Sequence, residues 1–397
     1  MHILIIPSWY PKRPDEIRGS FFRDQALALS RCGHKVGVVY PELTSLRPPG
    51  TWQKVFRADE ITTDEGMPTY RAYPINWHLL KLPYANARLW VRKGMQLFSR
   101  YVREHGKPDV LHAQSMFNGG LLAFRISRKY GIPYVITEHS SAFSRAVIGE
   151  RQLKLGLVAA KSASACLAVS ADFAAFLDRC YGLPENSWKY VPNIVSEMFA
   201  KQPLRDQVSS SEQTFTFCNI ALLTRIKGVD VLLRAFARSF SNRPDTNLIV
   251  GGDGSERQQL EALANELGLG TQVKFLGHLS RKQVLEVMAS SDAFVLSSHY
   301  ETFGVVLIEA LALGKPVLAT RCGGPESIVT PANGLLVEKG NVEALSEGLL
   351  HLREQASEYD AETIRSSCLE RFGESAVIEQ LSEIYVSAIA NGNRANG

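Results

Sequence analysis

The sequence contains no apolar run approaching the eighteen or so residues that a membrane-crossing helix requires. Its first apolar stretch is five residues long and stops at Pro7, with no basic segment ahead of it. Neither a membrane span nor an export signal is expected. The six cysteines, Cys32, Cys166, Cys180, Cys218, Cys322 and Cys368, form no C-x-x-C pair and no Cys/His set at ligand spacing. That pattern argues against a zinc site or a disulfide framework, and a reducing cytoplasm is the expected location. Recognised nucleic-acid-binding modules are also missing.

The 397 residues are 45% hydrophobic and 21% charged, enough to bury a large core, and a chain of this length is expected to form two domains. The net charge of +4 hides an asymmetry. Residues 1–195 hold 26 Lys and Arg against 15 Asp and Glu, whereas the remainder holds 18 against 25. A basic half suits nucleic acid, an anionic membrane surface or phosphorylated substrates, and composition does not choose among them. Long apolar segments interrupt the charge, which disfavours nucleic acid.

Short apolar runs alternate with helical patterns throughout. His2 to Ile6 reads as a strand, Ser20 to Arg31 as a helix ended by Gly33, and Lys35 to Tyr40 as a second strand. Asp109 to His112, Pro133 to Thr137, Ala165 to Ser170 and Trp188 to Pro192 continue the series. Alternation of this kind implies a doubly wound parallel sheet. A second series begins at Thr214, with strands at Asn247 to Val250, Val273 to Leu276, Ala293 to Ser297, Pro316 to Ala319 and Gly334 to Val337. The expected organisation is a first α/β domain over residues 1–195, a polar linker over 196–213 and a second α/β domain over 214–374. An amphipathic helix over 375–391 docks back, with the first domain as its expected partner. Two facing sheets enclose a cleft at the carboxyl ends of their strands, where ligands of such folds bind.

The most informative stretch is HYETFGVVLIEALALGKPVLATRCGGPESI. Glu301 and Glu309 are eight residues apart, about 12 Å along a helix at 1.5 Å per residue, which places both on roughly one side. Glu301 is expected at the helix start. The amides of Thr302, Phe303 and Gly304 would then be unpaired donors at a positive helix end, an anion site that Gly304 opens to close approach. A phosphate fits there, with Glu309 reaching ribose hydroxyls and Glu301 the hydroxyls of a group beyond the phosphate. A helix cap and a solvated glutamate are the alternative reading.

These residues match the E-x7-E signature of retaining glycosyltransferases, and nearly the whole chain resembles the GT4 family, whose fold is the two-domain GT-B architecture. The resemblance is carried also by PNIV before the linker, KGVD from Lys227, GGDG from Gly251, VKFLGHL from Val273, GGPESI from Gly323 and NGLLV from Asn333. It implies a nucleotide-sugar donor held mainly by the second domain and a glycan or polyprenyl-linked acceptor approaching across the first. Lys227 corresponds to the family's diphosphate-binding lysine. The family often has an arginine five residues earlier, where this chain has Leu222; Arg225 either supplies that charge from a different point or faces solvent.

Gly19 corresponds to a glycine near the donor phosphates, Gly252 to the wall beside the base, and Gly323 with Gly324 to another donor-side loop. His139 matches an active-site histidine, while His112, which matches another histidine common in the family, reads either as supporting the site from behind or as structural. Catalytic roles are expected for His139, Glu301 and Lys227, and donor contacts for Gly19, Arg225, Lys227, Gly252, Phe303, Gly304 and Glu309. No D-x-D motif occurs, so neither metal nor cofactor is expected. The resemblance further implies a role in bacterial cell-surface polysaccharide assembly. A nucleotide-sugar epimerase and a non-catalytic nucleotide-sugar binder are the competing functions. Residues 74–103 interleave Trp77, Leu79, Leu80, Leu82, Trp90, Leu97 and Phe98 with basic side chains. That pattern suits either a peripheral membrane face or a helix packed on the sheet.

Overall fold

The computed structural model describes residues 1–44, 59–76, 85–140, 142–143, 148–205, 214–241 and 243–395. The first domain carries strands β1 (His2–Pro7), β2 (Lys35–Pro41), β3 (Glu60–Asp64), β4 (Met67–Ala72), β5 (Val110–Gln114), β6 (Tyr134–Glu138), β7 (Ala165–Ala168) and β8 (Trp188–Tyr190). They form one sheet in the order β3-β4-β2-β1-β5-β6-β7-β8. Every pairing is parallel except β3 with β4. All six residues of β1 are buried, as expected of a central strand covered on both faces. The β3–β4 hairpin has no counterpart in the sequence reading, because β3 is a polar edge strand without an apolar run.

Among the described residues between these strands, the helices that pack on this sheet are α1 (Ser20–Arg31), α2 (Ala85–His105), α3 (Leu121–Tyr130), α4 (Glu150–Ser162) and α5 (Ala171–Tyr181). Trp90, Leu97 and Phe98 of α2 are each 1% exposed and belong to the core. Their spacing reflects packing on the sheet, and they are not available to a membrane. Trp77, Leu79, Leu80 and Leu82 lie outside the described residues. A short helix, α6 (Glu197–Ala200), follows the first sheet, and part of the expected linker, residues 206–213, also lies outside the described residues.

The second domain has strands β9 (Phe215–Ile220), β10 (Thr246–Gly251), β11 (Val273–Gly277), β12 (Ala293–Leu296), β13 (Val317–Arg321) and β14 (Gly334–Glu338). Their order is β11-β10-β9-β12-β13-β14, all parallel. Its helices are α7 (Val229–Phe240), α8 (Arg257–Glu266), α9 (Arg281–Ser290), α10 (Val305–Ala312), α11 (Val342–Glu354) and α12 (Ala361–Phe372). The last helix, α13 (Glu374–Ala395), returns to the first domain. There Tyr385 Oη lies 2.6 Å from His112 Nδ1, and Ser382 Oγ 3.2 Å from His34 Nε2. One buried apolar cluster runs through both sheets.

Candidate functional site

The carboxyl ends of β9, β12 and β13 converge on the cleft, and short backbone contacts hold their loops together. After β9 the chain makes a turn over Arg225–Lys227 and ends it at Gly228, whose φ is +57°. A Cβ at Gly228 would fall 2.2 Å from the carbonyl oxygen of Ser297, so only glycine lets this turn press against the end of β12. His299 N donates to Ile226 O at 2.8 Å and Ser297 Oγ to Lys227 O at 3.0 Å, fixing the contact. Lys227 is thereby aimed at Glu301: its Nζ lies 2.6 Å from Glu301 Oε1, which Ser298 Oγ also reaches at 2.9 Å.

Glu301 is not on the helix. Helix α10 begins at Val305, after Gly304 at φ +101°, and Glu301 forms an isolated bridge with Gly323 in the loop after β13. Its amide donates to Cys322 O at 3.1 Å and its carbonyl accepts from Gly324 N at 2.8 Å. The two glutamates therefore do not share a helix face, and Glu301 owes its position to the β13 loop. Thr302, Phe303 and Gly304 still have backbone N–H groups without an acceptor among the described residues. Phe303 is buried, its ring 5.9 Å from that of Phe372.

Glu309, one turn into α10, is 8% exposed, and burial pushes its carboxyl up to about 7, with Arg281 opposing and Asp24 reinforcing the rise. Arg225 is exposed, and so is Leu222 at 64%. Gly252 adopts φ +120° where β10 passes within 1.8 Å, measured from a notional Cβ, of Ala221 O.

Across the cleft, Gly19 caps α1 at φ +81°. His139 follows β6, its ring 4.8 Å from Phe22 and 5.3 Å from Phe21. Its Nε2 lies 2.6 Å from Gln114 Oε1, an acceptor, so Nε2 carries the proton and Nδ1 presents a buried, unpartnered lone pair. Burial first, then His112, lowers the imidazole to about 3 against an opposing influence from Asn193, so it is neutral at physiological pH. The His139 carbonyl accepts from Thr302 Oγ1 at 3.0 Å, a direct bond between the two domains beside the unpaired amides.

Residues 19–197 match the model described as Glycosyltransferase Family 4, and residues 200–366 match the one described as Glycosyl transferases group 1. The chain is a GT4-type glycosyltransferase. Over 368 residues, 90% of its length and 92% of the other's, it is 27% identical to the lipopolysaccharide core biosynthesis glycosyltransferase LpsD of Rhizobium meliloti. A GDP-mannose-dependent monoacylated phosphatidylinositol monomannoside mannosyltransferase of Corynebacterium glutamicum is 37% identical over 142 residues, which cover 34% of this chain and 36% of that one. Among solved structures, HepE from Anabaena in complex with UDP superposes with a TM-score of 0.72 at 21% identity, over 98% of this chain and all of that one. The architecture is the GT-B fold.

The structure also exposes parts of this glycosyltransferase that sequence reasoning missed. Glu138, fully buried, accepts from the amides of Met116, His139 and Ser140 at 2.7 to 2.8 Å, and so anchors the loop that presents His139. Its position directly before His139 at a strand end was the available signal. Gln114 links His139 to Gln25, and Arg281 links Glu309 to Asp24. Among the described residues no three His, Cys, Asp or Glu side chains converge as a metal site.

Proposed function

We propose that this glycosyltransferase moves a sugar from a nucleotide-sugar donor, a UDP- or GDP-sugar, to a glycan or lipid-linked acceptor with retention of configuration, in the assembly of a cell-surface polysaccharide. The observation that carries this reading is the apposition of Lys227 and Glu301 at 2.6 Å beside the three unpaired amides of residues 302–304. A lysine and three N–H groups without an internal acceptor offer positive charge and donors to a departing diphosphate. With a donor present, Lys227 exchanges Glu301 for the phosphate, and the freed carboxylate accepts hydrogen bonds from the sugar hydroxyls. Glu309 serves the ribose, and Gly19 admits the phosphates from the first domain.

The acceptor hydroxyl attacks the anomeric carbon on the face that the diphosphate leaves. A carbon–oxygen bond forms as the anomeric carbon–phosphate oxygen bond breaks, and the acceptor's proton passes to the leaving phosphate. His139, neutral and with Nδ1 bare, accepts a hydrogen bond from the sugar; at about 3 its basicity is too low for a general base near neutrality. Charge stabilisation by Lys227 and the amides leaves no step that calls for a metal. The similarity to LpsD and to a phosphatidylinositol mannoside mannosyltransferase supports an acceptor anchored at a membrane.

A cytoplasmic, peripheral site of action agrees with the charge distribution. Helices α2, α3 and α4 form one layer, and together they carry eleven Lys and Arg against two Asp and Glu. Leu155 and Val158 stand exposed on that layer, which suits an anionic lipid surface. No described helix is long and apolar enough to cross a membrane.

Calorimetric titration of the protein with UDP, GDP and ADP tests the donor half. One nucleotide is expected to bind, with about tenfold or greater loss of affinity in Lys227→Ala. Equal affinity in the variant, or no binding by the wild type, would remove the reading.

A further inference from the structure

The transfer chemistry leaves one set of buried charges unexplained, and it lies across the domain boundary. Arg281 opens α9 in the second domain with a side chain 8% exposed. Its Nη1 donates to both carboxylate oxygens of Asp24, at 3.1 and 2.9 Å, on α1 of the first domain. Its Nη2 lies 3.7 Å from Glu309 Oε1. Ser196, where the chain leaves the first domain, adds a hydrogen bond to Asp24. Arg281 N also donates to Asp15 O at 3.5 Å. Arg23, the cation on the next position of α1, is committed to Asp64 and Glu65 and does not take over. One guanidinium therefore serves two acids, the buried Glu309 of the second domain and the largely covered Asp24 of the first.

This arrangement adds one charged pairing to the neutral interdomain bonds from Thr302 Oγ1 to His139 O and from Arg281 N to Asp15 O. With the domains apart, Asp24 returns to water and Arg281 keeps Glu309. On closing, Asp24 gives up its hydration, and Arg281 is the cation that compensates it. A donor changes the balance, because ribose hydroxyls on Glu309 supply that carboxylate with partners of its own and release Nη2. The guanidinium then turns wholly to Asp24. A ligand that satisfies Glu309 thus favours the closed state over the open one, which is the differential interaction a closure mechanism needs.

We propose that Asp24 and Arg281 are positioning residues that latch the cleft over bound donor, with Arg281 carrying the occupancy of Glu309 to the first domain. The proposal rests on reading Glu309 as the nucleoside contact. Neither residue has to touch the sugar or the acceptor for it to hold.

The test uses Asp24→Asn, Asp24→Glu, Arg281→Gln and the Asp24→Asn/Arg281→Gln double variant of the full chain. Three quantities are measured: affinity for the nucleoside diphosphate, kcat and KM for the donor sugar, and the radius of gyration by X-ray scattering with and without nucleotide. Asp24→Asn is expected to bind nucleotide within about threefold of wild type, to lose about tenfold or more in kcat and to stay expanded when nucleotide is added. Asp24→Glu recovers part of kcat, and the double variant closes no worse than Arg281→Gln alone, the non-additivity of a shared interaction. Asp24→Asn that compacts with nucleotide as wild type does, or that loses affinity and kcat in equal measure, would overturn the latch alone. Absence of nucleotide binding by the wild type would overturn the donor reading and the latch with it.

Discussion

Replacement of Glu309 by glutamine separates the cost of this side chain from its use. In the fold its carboxyl sits at about 7 against an ordinary 4.5, because burial outweighs the attraction of Arg281. Between those two values the folded chain retains a proton that the unfolded chain has released. The stability contributed by this group is therefore fully present below about 4.5 and is lost as the pH rises through about 7. The difference corresponds to on the order of 3 kcal/mol at pH 8. Glutamine keeps the shape and one acceptor but cannot ionise, and Arg281 retains Asp24 as its partner. Glu309→Gln is thus expected to unfold a few degrees above wild type at pH 8 and at nearly the same temperature at pH 5, in paired calorimetric scans. Asp24, whose carboxyl burial also raises, leaves both proteins with a residual dependence in the same direction. A glutamine variant less stable than wild type at pH 8, or a gap of equal size at both pH values, would show that the buried carboxyl does not carry this cost. Its nucleotide affinity is expected to fall meanwhile, since a neutral amide is a weaker acceptor for ribose hydroxyls than a carboxylate.

Two further substitutions probe the scaffold of the site. A Cβ at Gly324 would lie 2.3 to 2.4 Å from the backbone of Phe303, so Gly324→Ala is expected to cost about 3 kcal/mol in denaturant titration and to displace the 301–304 loop, abolishing nucleotide binding. Glu138→Gln turns one of the oxygens that serve three amides into a donor; a loss of about 3 kcal/mol, with kcat falling more steeply than donor affinity, is the expected outcome of thermal and kinetic assays.

The alternation of strand and helix, and the loop ends where Lys227, Glu301 and His139 sit, could be read from the sequence because buried parallel strands leave continuous apolar runs. The β3–β4 hairpin could not, since its edge strand is polar and lacks an apolar run. The position of Glu301 off the helix was invisible for a related reason: an eight-residue spacing fits a helix, and only the left-handed turn at Gly304 and the bridge to Gly323 show that the helix starts later. Arg281 and Asp24 look like ordinary charges at helix surfaces until folding brings two domains together around them. The aromatic spacing of α2 was ambiguous because a core face and a membrane face share one periodicity, and the burial of Trp90, Leu97 and Phe98 decides for the core.

Turnover decides whether the cleft between the two sheets transfers a sugar with Lys227 and Glu301 as its essential pair. The protein is incubated with UDP-, GDP- and ADP-sugars, and released nucleoside diphosphate is measured for wild type, Lys227→Ala and Glu301→Ala, with and without a polyprenyl-linked glycan extract. Release from one donor is expected, stimulated by the extract and reduced about a hundredfold or more in both variants. Release that persists in both variants, or its absence from wild type under every condition, would contradict it.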